Sequence, residues 1–437
     1  MSKNLQISRA EELALDQAKP SRQRVLLLFI LFIGISVAYL DRVNVAVIAA
    51  NAQFLADMGI AGQPVKIGLL MSSFLIAYGT ANVILSPLGA YLGPRKAMIS
   101  AYLIICAALV IGGIAGTFAI LIATRIMLGI GEGLYYPMQN TFVKNWFPSK
   151  ERGRANTAWI IGQSLAPAVA MPIFTYLVMT YSWRATFHWS FALSLIPLAL
   201  LLFFTADTPR RHKRVNQREL EHIEAELACQ SIDRNGHRTG KESLRELAGS
   251  YVLNYRFWLL MLILATNSIL SWGLLSWLPT YLNHERGFSW ETMGWMSSLP
   301  FIVGLFFKII SGILIDRTGR NAPIIVVSAL LCAVGVYSGV VIENNYVAAI
   351  TIAFGIGASS MQIPAIFTLL QALVPKRAIS SAAGTLNGIA VGFGALSPVL
   401  IGFSISITGN FSTALYVIIG VILTGGLLAA ILATQRL

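Results

Sequence analysis

Carboxylates are scarce in this chain. It has 19 Asp and Glu against 32 Lys and Arg in 437 residues, and charge of both signs makes up 12% of it. A soluble globular domain carries about 25%, so the composition excludes a soluble fold. Cysteine is equally sparse: Cys106, Cys229 and Cys332 stand far apart, in neither metal-ligating nor disulfide spacing, and read as packing residues. No paired-histidine metal motif, nucleophile elbow or phosphate-cradling loop occurs, which argues against an enzyme and leaves no cofactor or metal expected. Of the five histidines, His212, His222 and His237 fall in one hydrophilic stretch and read as solvated, and His188 reads as packing. Hydrophilic stretches are themselves nearly absent; the one long example, about 206–255, has the character of a linker and leaves no room for a separate soluble domain.

What the chain does have is long apolar runs, in keeping with its 56% hydrophobic content. About 20 helical residues cross a bilayer's hydrocarbon core, and runs near that length occur at 25–50, 67–91, 97–116, 118–140, 155–180, 185–204, 256–281, 293–314, 322–341, 346–372, 379–407 and 411–433. The expected fold is therefore an all-α integral membrane protein of twelve transmembrane helices in two six-helix halves. The first half is 1–205, the cytoplasmic linker 206–255, with an amphipathic surface segment near Gln217 to Leu227, and the second half 256–437.

The net charge of +13 sets topology and needs no nucleic-acid partner. Lys3, Arg9, Lys19, Arg22 and Arg24 precede the first run; Arg95-Lys96, Lys144 with Lys150 to Arg154, the 209–256 stretch, Arg317 with Arg320, Lys376-Arg377 and Arg436 follow at every second boundary. Loops 51–66, 117, 342–345 and 408–410 are nearly free of Lys and Arg. Positive-inside asymmetry places both termini and the linker in the cytoplasm. The polar N-terminal 24 residues and the length of the first run argue against a cleaved signal.

Charge inside the runs is the exception that points to function. Asp41-Arg42 sits in the first, and Arg125 and Glu132 in the fourth. Such residues cost about 2.5–3.5 kcal/mol each on insertion scales and are kept for a task. Helical spacing puts Arg125, Gly129, Glu132, Tyr136 and Asn140 on one stripe, which must face a protein interior or water cavity. Here Glu132 is expected to exchange protons while Arg125 neutralises and tunes it. Burial and a neighbouring arginine act oppositely on a carboxyl's hold on its proton, which suits Asp41 to be a second proton carrier. Arg42 projects about 100° round the helix from Asp41. Its fork of donors can grip a carboxylate at two points, as a lysine cannot, so Arg42 is the expected anchor for an organic anion. Lys308 reads as snorkelling from the eighth run to its cytoplasmic end.

The halves repeat a local signature. Gly312-Ile-Leu-Ile-Asp316-Arg317-Thr-Gly319-Arg320 follows the eighth run, and Ser86-Pro-Leu-Gly89-Ala90-Tyr91-Leu-Gly93-Pro94-Arg95-Lys96 the second. Aligning Gly93 with Gly319 sets Ala90 opposite Asp316, an offset of 226 residues (316 − 90), near half the chain. Internal repeats of this kind mark transporters with a midplane site between the repeats.

Twelve spans, a six-plus-six layout and that loop signature resemble the major facilitator superfamily. Tyr39-Leu-Asp41-Arg42-Val-Asn44, Arg125-Ile-Met-Leu-Gly-Ile-Gly-Glu132, Trp146-Phe-Pro148-Ser-Lys-Glu151-Arg152-Gly153 and Asp207-Thr-Pro-Arg-Arg-His212 narrow the resemblance to its anion:cation symporter family. The resemblance implies a major facilitator fold working by alternating access at the inner (cytoplasmic) membrane, importing an organic carboxylate such as a sugar acid or an aromatic or aliphatic acid, coupled to protons. Proton coupling would fall to Asp41, Glu132 and Arg125. Substrate binding would fall to Arg42, Tyr39, Tyr78, Asn82, Gln163, Asn387 and Trp272, with Trp277 and Tyr281 as further cavity aromatics, and gating to Asp316 and Arg317. The expected partners are a small organic anion, protons and the lipid bilayer, and the expected state is a monomer. Gln362, Pro364, Phe367 and Thr368 in the tenth run point to a less hydroxylated or an aromatic acid. One departure stands out: Ala90 and Tyr91 replace the family's usual acid and base, so a weaker lock on the outward-facing state is expected. An organic-anion exchanger or a proton-coupled drug efflux antiporter is the alternative.

Overall fold

The computed structural model describes residues 21–85, 91–224, 249, 251–375 and 378–435. Twelve spans long and apolar enough to cross a membrane make this a multi-pass, all-helical membrane protein. The chain runs through α1 (Gln23–Ile48), a short α2 (Ala52–Asp57), α3 (Pro64–Leu85), α4 (Pro94–Gly113), α5 (Phe118–Trp146), α6 (Ser149–Thr180) and α7 (Trp183–Phe204). After a helical stretch at 217–224 follow α8 (Tyr255–Thr280), α9 (Trp290–Thr318), α10 (Ala322–Val341), α11 (Asn345–Ser359), α12 (Gln362–Leu373), α13 (Ile379–Thr408) and α14 (Phe411–Thr434). Because the number of passes is even, the start of α1, the end of α14 and the connection between α7 and α8 share one face, called here the terminal face; loops such as 58–63 and 342–344 lie on the far face.

Several helices that begin on the far face are started by the same device. Thr117, Ser289, Asn344 and Asn410 each accept a backbone N–H from the first turn of α5, α9, α11 and α14, satisfying donors that a helix start leaves open. On the terminal face the paired loop glycines both need the left-handed region: Gly93 has φ 80° and Gly319 φ 63°, conformations that side-chain-bearing residues resist. The repeat alignment therefore matches a backbone requirement as well as a spelling. Ala90, with Ser86 to Gly89, and Lys376, Arg377, Cys229, His237 and Arg436 lie outside the described residues.

The linker's first residues clamp the terminal face. The Asp207 carboxylate accepts the Arg95 N–H at the start of α4 (2.9 Å), Asn145 donates to the Asp207 carbonyl (3.2 Å), and Trp146 Nε1 donates to the Ala206 carbonyl (3.1 Å). His212 is not the solvated side chain expected from sequence: it is half-buried, edge-on to Trp146 at 5.5 Å between ring centroids. Further on, buried Glu219 accepts the Gln23 and Arg24 N–H groups at 2.9 and 3.0 Å, capping α1.

The tenth run is one span, Asn345–Leu373, in which α11 passes into α12 through a tightened turn at Ser360-Met361. Lipid offers no donors to carbonyls at such an irregular turn, and neighbouring helices add side-chain donors to three of them. Asn267 of α8 donates to Ser359 (3.0 Å), Ser328 of α10 to Ala358 (2.8 Å) and Ser311 of α9 to Met361 (2.8 Å).

Helices of the first six spans meet those of the second six on the far face. A Cβ on Gly68 would strike the backbone of Pro398 and Val399, and one on Gly402 the backbone of Pro64 and Val65, so α3 and α13 touch main chain to main chain. Gly294 of α9 fits against Pro172 and Thr175 of α6, and His284 lies 3.2 Å from the Ala50 carbonyl. Toward the terminal face, Gly384, Gly388 and Gly392 of α13 have open space where a Cβ would stand.

Candidate functional site

Close packing of α5 on its neighbours brings the charged residues together. Gly129 and Gly133 lie against the backbone of α3 at Phe74 to Asn82, and Gly131 against Ala101 and Ile105 of α4. Small residues at this spacing let helix backbones approach within a membrane. The approach delivers Glu132 to Arg42: Nε donates to Glu132 Oε2 at 2.7 Å, with the two side chains 4% and 2% exposed.

The Arg42 guanidinium is held in an aromatic cage. Its centre lies 4.0 Å from the Tyr39 ring centroid, 4.3 Å from Tyr78, 5.6 Å from Phe74 and 5.7 Å from Trp272. Tyr39, Tyr78 and Phe74 belong to the first six spans, whereas Trp272 reaches in from α8, so Arg42 sits where the two sets of helices converge. Sequence reasoning named Tyr39, Tyr78 and Trp272 but missed Phe74, which also lies 4.7 Å from the Arg125 guanidinium. The available signal was its position, one helical turn before Tyr78 on the same face. Tyr136, on the expected stripe, closes the group edge-on to Tyr78 and Trp159.

Arg125 makes no hydrogen bond to Glu132, which Arg42 takes; Arg125 Nη1 donates to the backbone carbonyl of Asp41 at 3.3 Å, and its charge acts through space on both Glu132 and Asp41. Asp41 is 1% exposed; neither carboxyl oxygen makes a hydrogen bond of normal geometry, and the Ser190 hydroxyl is its polar neighbour. It forms no ion pair with Arg42 or Arg125 in this state. Glu132 Oε1 and Arg125 Nε are also buried without partners. Buried polar groups are normally paired, so this cluster has unspent capacity for protons and for hydrogen bonds.

The remaining candidates divide. Gln163 of α6 carries a buried amide nitrogen with no acceptor. Its side of the helix is opposite Ile161 and Leu165, which are 41% and 46% exposed on the outer surface. Asn82 is half-buried on α3 beside Gly133. Asn387 is exposed on α13, beside the open positions at Gly384 and Gly388. Asp316 and Arg317 are exposed at the end of α9 on the terminal face. Trp277 and Tyr281 do not join the site: Trp277 donates to the Pro398 carbonyl at 3.0 Å, and both pack on Phe411 within the second six spans. Gln362 is buried at the start of α12 with its side-chain oxygen unpaired. Lys308 does not snorkel. It points away from the exposed Phe306, Ile309 and Ile313 face of α9 and donates to Ser164 Oγ of α6 at 2.9 Å. Among the described residues no group of three or more His, Cys, Asp or Glu could hold a metal.

Two bundles of six spans meeting over a buried, charged and aromatic-lined cluster define a membrane transporter rather than an enzyme. The Major Facilitator Superfamily profile matches residues 31–398 and 291–436, and the chain belongs to that superfamily. It is 28% identical to a "Probable sulfoacetate transporter" of Cupriavidus necator, over 94% of each chain. It is 27% identical to a D-galactonate transporter of Escherichia coli (95% of this chain, 97% of that one) and 25% identical to a hexuronate transporter of Bacillus subtilis (93% and 92%). These relatives bear out the resemblance to anion:cation symporters. Among solved structures, the fold matches a bacterial homologue of the human lysosomal transporter Spinster, inward-facing and unoccupied. The TM-score is 0.77 at 15% identity, covering 93% of this chain and 96% of that one. It also matches a D-xylose-proton symporter, with a TM-score of 0.71 at 16% identity over 92% and 97%.

Proposed function

We propose that this protein imports a small organic carboxylate together with protons across the cytoplasmic membrane, with the terminal face inside the cell. The observation that carries the reading is the Arg42–Glu132 ion pair. The guanidinium that would bind a carboxylate substrate is already bound by a carboxylate of the protein, so substrate and Glu132 compete for it. A proton on Glu132 removes that competitor and frees Arg42 for the anion. When the proton leaves, the ion pair re-forms and the substrate is expelled. Proton and anion are thus linked at one cation, which is what symport requires.

Asp41 supplies a second proton position. Its carboxyl has no counter-ion within hydrogen-bond reach, and an unpaired buried charge is penalised, so its proton is tied to how the surrounding helices close round it. Contact on the far face and open glycines toward the terminal face fit an inward-open state, in which substrate and proton leave to the cytoplasm. Asn387 and Gln163 contribute hydrogen bonds from the two sides of the cavity, Trp272 closes over Arg42, and Asp316 and Arg317 act at the cytoplasmic gate when it shuts. The relatives' names, which include sulfoacetate, galactonate and hexuronate transporters, support small hydrophilic acids as the substrate class.

Purified protein in liposomes, loaded with a pH indicator and given sugar acids, short aliphatic acids and aromatic acids in turn, tests the reading. A substrate acid should acidify the lumen as it enters and accumulate only under an inward proton gradient. Uptake of an acid with no accompanying proton movement would contradict it.

A further inference from the structure

We infer that Lys308 is a second anion anchor, contributed by the second six spans, and that the natural substrate is a short dianion held between Arg42 and Lys308. The inference rests on the organic-anion transport proposed above and narrows its substrate class.

Lys308 is an ammonium at membrane depth with no carboxylate partner among the described residues; its one hydrogen bond is to the neutral Ser164 hydroxyl of α6. The other buried cations of the site are engaged by the protein, Arg42 by Glu132 and Arg125, though its Nε stays unpaired, by a backbone carbonyl and the Phe74 ring. An ammonium has three donors, so Lys308 retains two. Intramembrane charge without a partner is a mark of a substrate or ion pathway.

Its direction is also specific. Lys308 lies on the side of α9 opposite the exposed Phe306, Ile309 and Ile313 and meets α6 at Ser164, next to Gln163. On α6, Gly162 fits against Phe32, Ile35 and Ser36 of α1 and Ser164 faces α9, so Gln163 projects into the gap between those two helices. Its buried amide nitrogen has no acceptor there. An unfilled neutral donor thus stands between α1 and the unpaired ammonium.

The helices set the axial part of the separation. Because Gly162 lies level with Phe32 to Ser36, Ser164 lies level with about residue 37 of α1, and at 1.5 Å rise per residue Arg42 is about 6–10 Å further along the axis. The Arg42 side chain leans back toward the start of α1, which shortens the gap. Two acid groups joined by a few carbon atoms bridge such a distance, with the connecting chain passing Gln163. A monocarboxylate reaches one cation only.

The test compares uptake of succinate and of monomethyl succinate, which differ by one charge at nearly constant shape, in liposomes at neutral pH. Wild type should favour succinate in kcat/KM by roughly 10–100-fold, the worth of one charge-assisted hydrogen bond. Lys308→Met should collapse that ratio toward one, Lys308→Arg should keep most of it, and Ser164→Ala, which removes the neutral partner but leaves the charge, should preserve it. Equal uptake of the two compounds by wild type would overturn the inference while leaving carboxylate transport standing, as would an unchanged ratio in Lys308→Met. A ratio lost equally in Ser164→Ala and Lys308→Met would show a structural latch instead. Failure of wild type to carry any carboxylate would overturn the transport reading itself, and this inference with it.

Discussion

Arg42 and Glu132, 90 residues apart in sequence, form an ion pair of 2.7 Å with side chains 4% and 2% exposed. Breaking such a pair from one side leaves a buried charge uncompensated, at a cost of about 3–5 kcal/mol. Arg42→Met should therefore lower the thermal unfolding temperature sharply at neutral pH, and the double variant Arg42→Met/Glu132→Gln should regain most of the loss. The deficit of the single variant should shrink in acid, where a proton neutralises Glu132. Thermal unfolding of the three variants in detergent across pH checks the cycle; simple additivity of the two changes would argue against coupling.

Asp41 behaves oppositely. With no ion pair to its carboxyl and only the Ser190 hydroxyl beside it, replacement by the neutral isostere removes a charge that the interior stabilises little. Asp41→Asn is expected to unfold at the same temperature as wild type or higher, while losing accumulation under a proton gradient. A large fall in stability would mean that Asp41 is a structural ion after all.

The far-face seal can be wedged open. Gly68 and Gly402 meet opposing backbone, not flexible side chains, so a side chain there cannot be accommodated by a rotamer change. Gly68→Val should push α3 and α13 apart on the far face and shift the protein toward an outward-open state. In a Cys229→Ser background, thiol labelling of Gly388→Cys from the terminal face should then fall severalfold. Unchanged labelling would show that the seal tolerates the extra volume.

Much of this was legible beforehand because apolar run length and loop charge are properties of consecutive residues. The span positions, the two glycine turns at Gly93 and Gly319, and the candidacy of Asp41, Arg42, Arg125 and Glu132 all came from local pattern and resemblance. Pairing was not legible. Which carboxylate Arg42 would take depends on the close approach of α3, α4 and α5 through Gly129, Gly131 and Gly133, and helical periodicity alone put Arg125 beside Glu132. The tightened turn at Ser360-Met361 was hidden because apolar composition runs straight through it, and the side-chain donors that meet its carbonyls, Asn267, Ser311 and Ser328, lie on three other helices. Lys308 was misread for a similar reason, since its distance along α9 was visible in the sequence but its direction was not.

Outside the spans, Asp57 ties the far-face loop to the start of α7. Trp183 Nε1 and Arg184 Nη1 donate to its Oδ2 at 2.8 and 3.0 Å, and Gln53 to its Oδ1 at 2.6 Å. The hydrogen bond from Trp183 first, then those from Gln53 and Arg184, holds the carboxyl below the usual aspartate range. A group whose folded value is depressed stabilises above its unfolded value and loses that contribution as pH falls through the folded one. Asp57→Ala should thus lower the unfolding temperature by a few degrees at neutral pH, and the gap to wild type should close below about pH 4. A gap independent of pH would assign the effect to packing.

In the proposed cycle one proton-bearing carboxylate and the substrate take turns on Arg42. Glu132→Gln in liposomes, assayed for both counterflow and accumulation, tests it most directly. Counterflow of substrate should continue, because Arg42 is free, while accumulation driven by an inward proton gradient should be lost. Gradient-driven accumulation at the wild-type level in Glu132→Gln would contradict it.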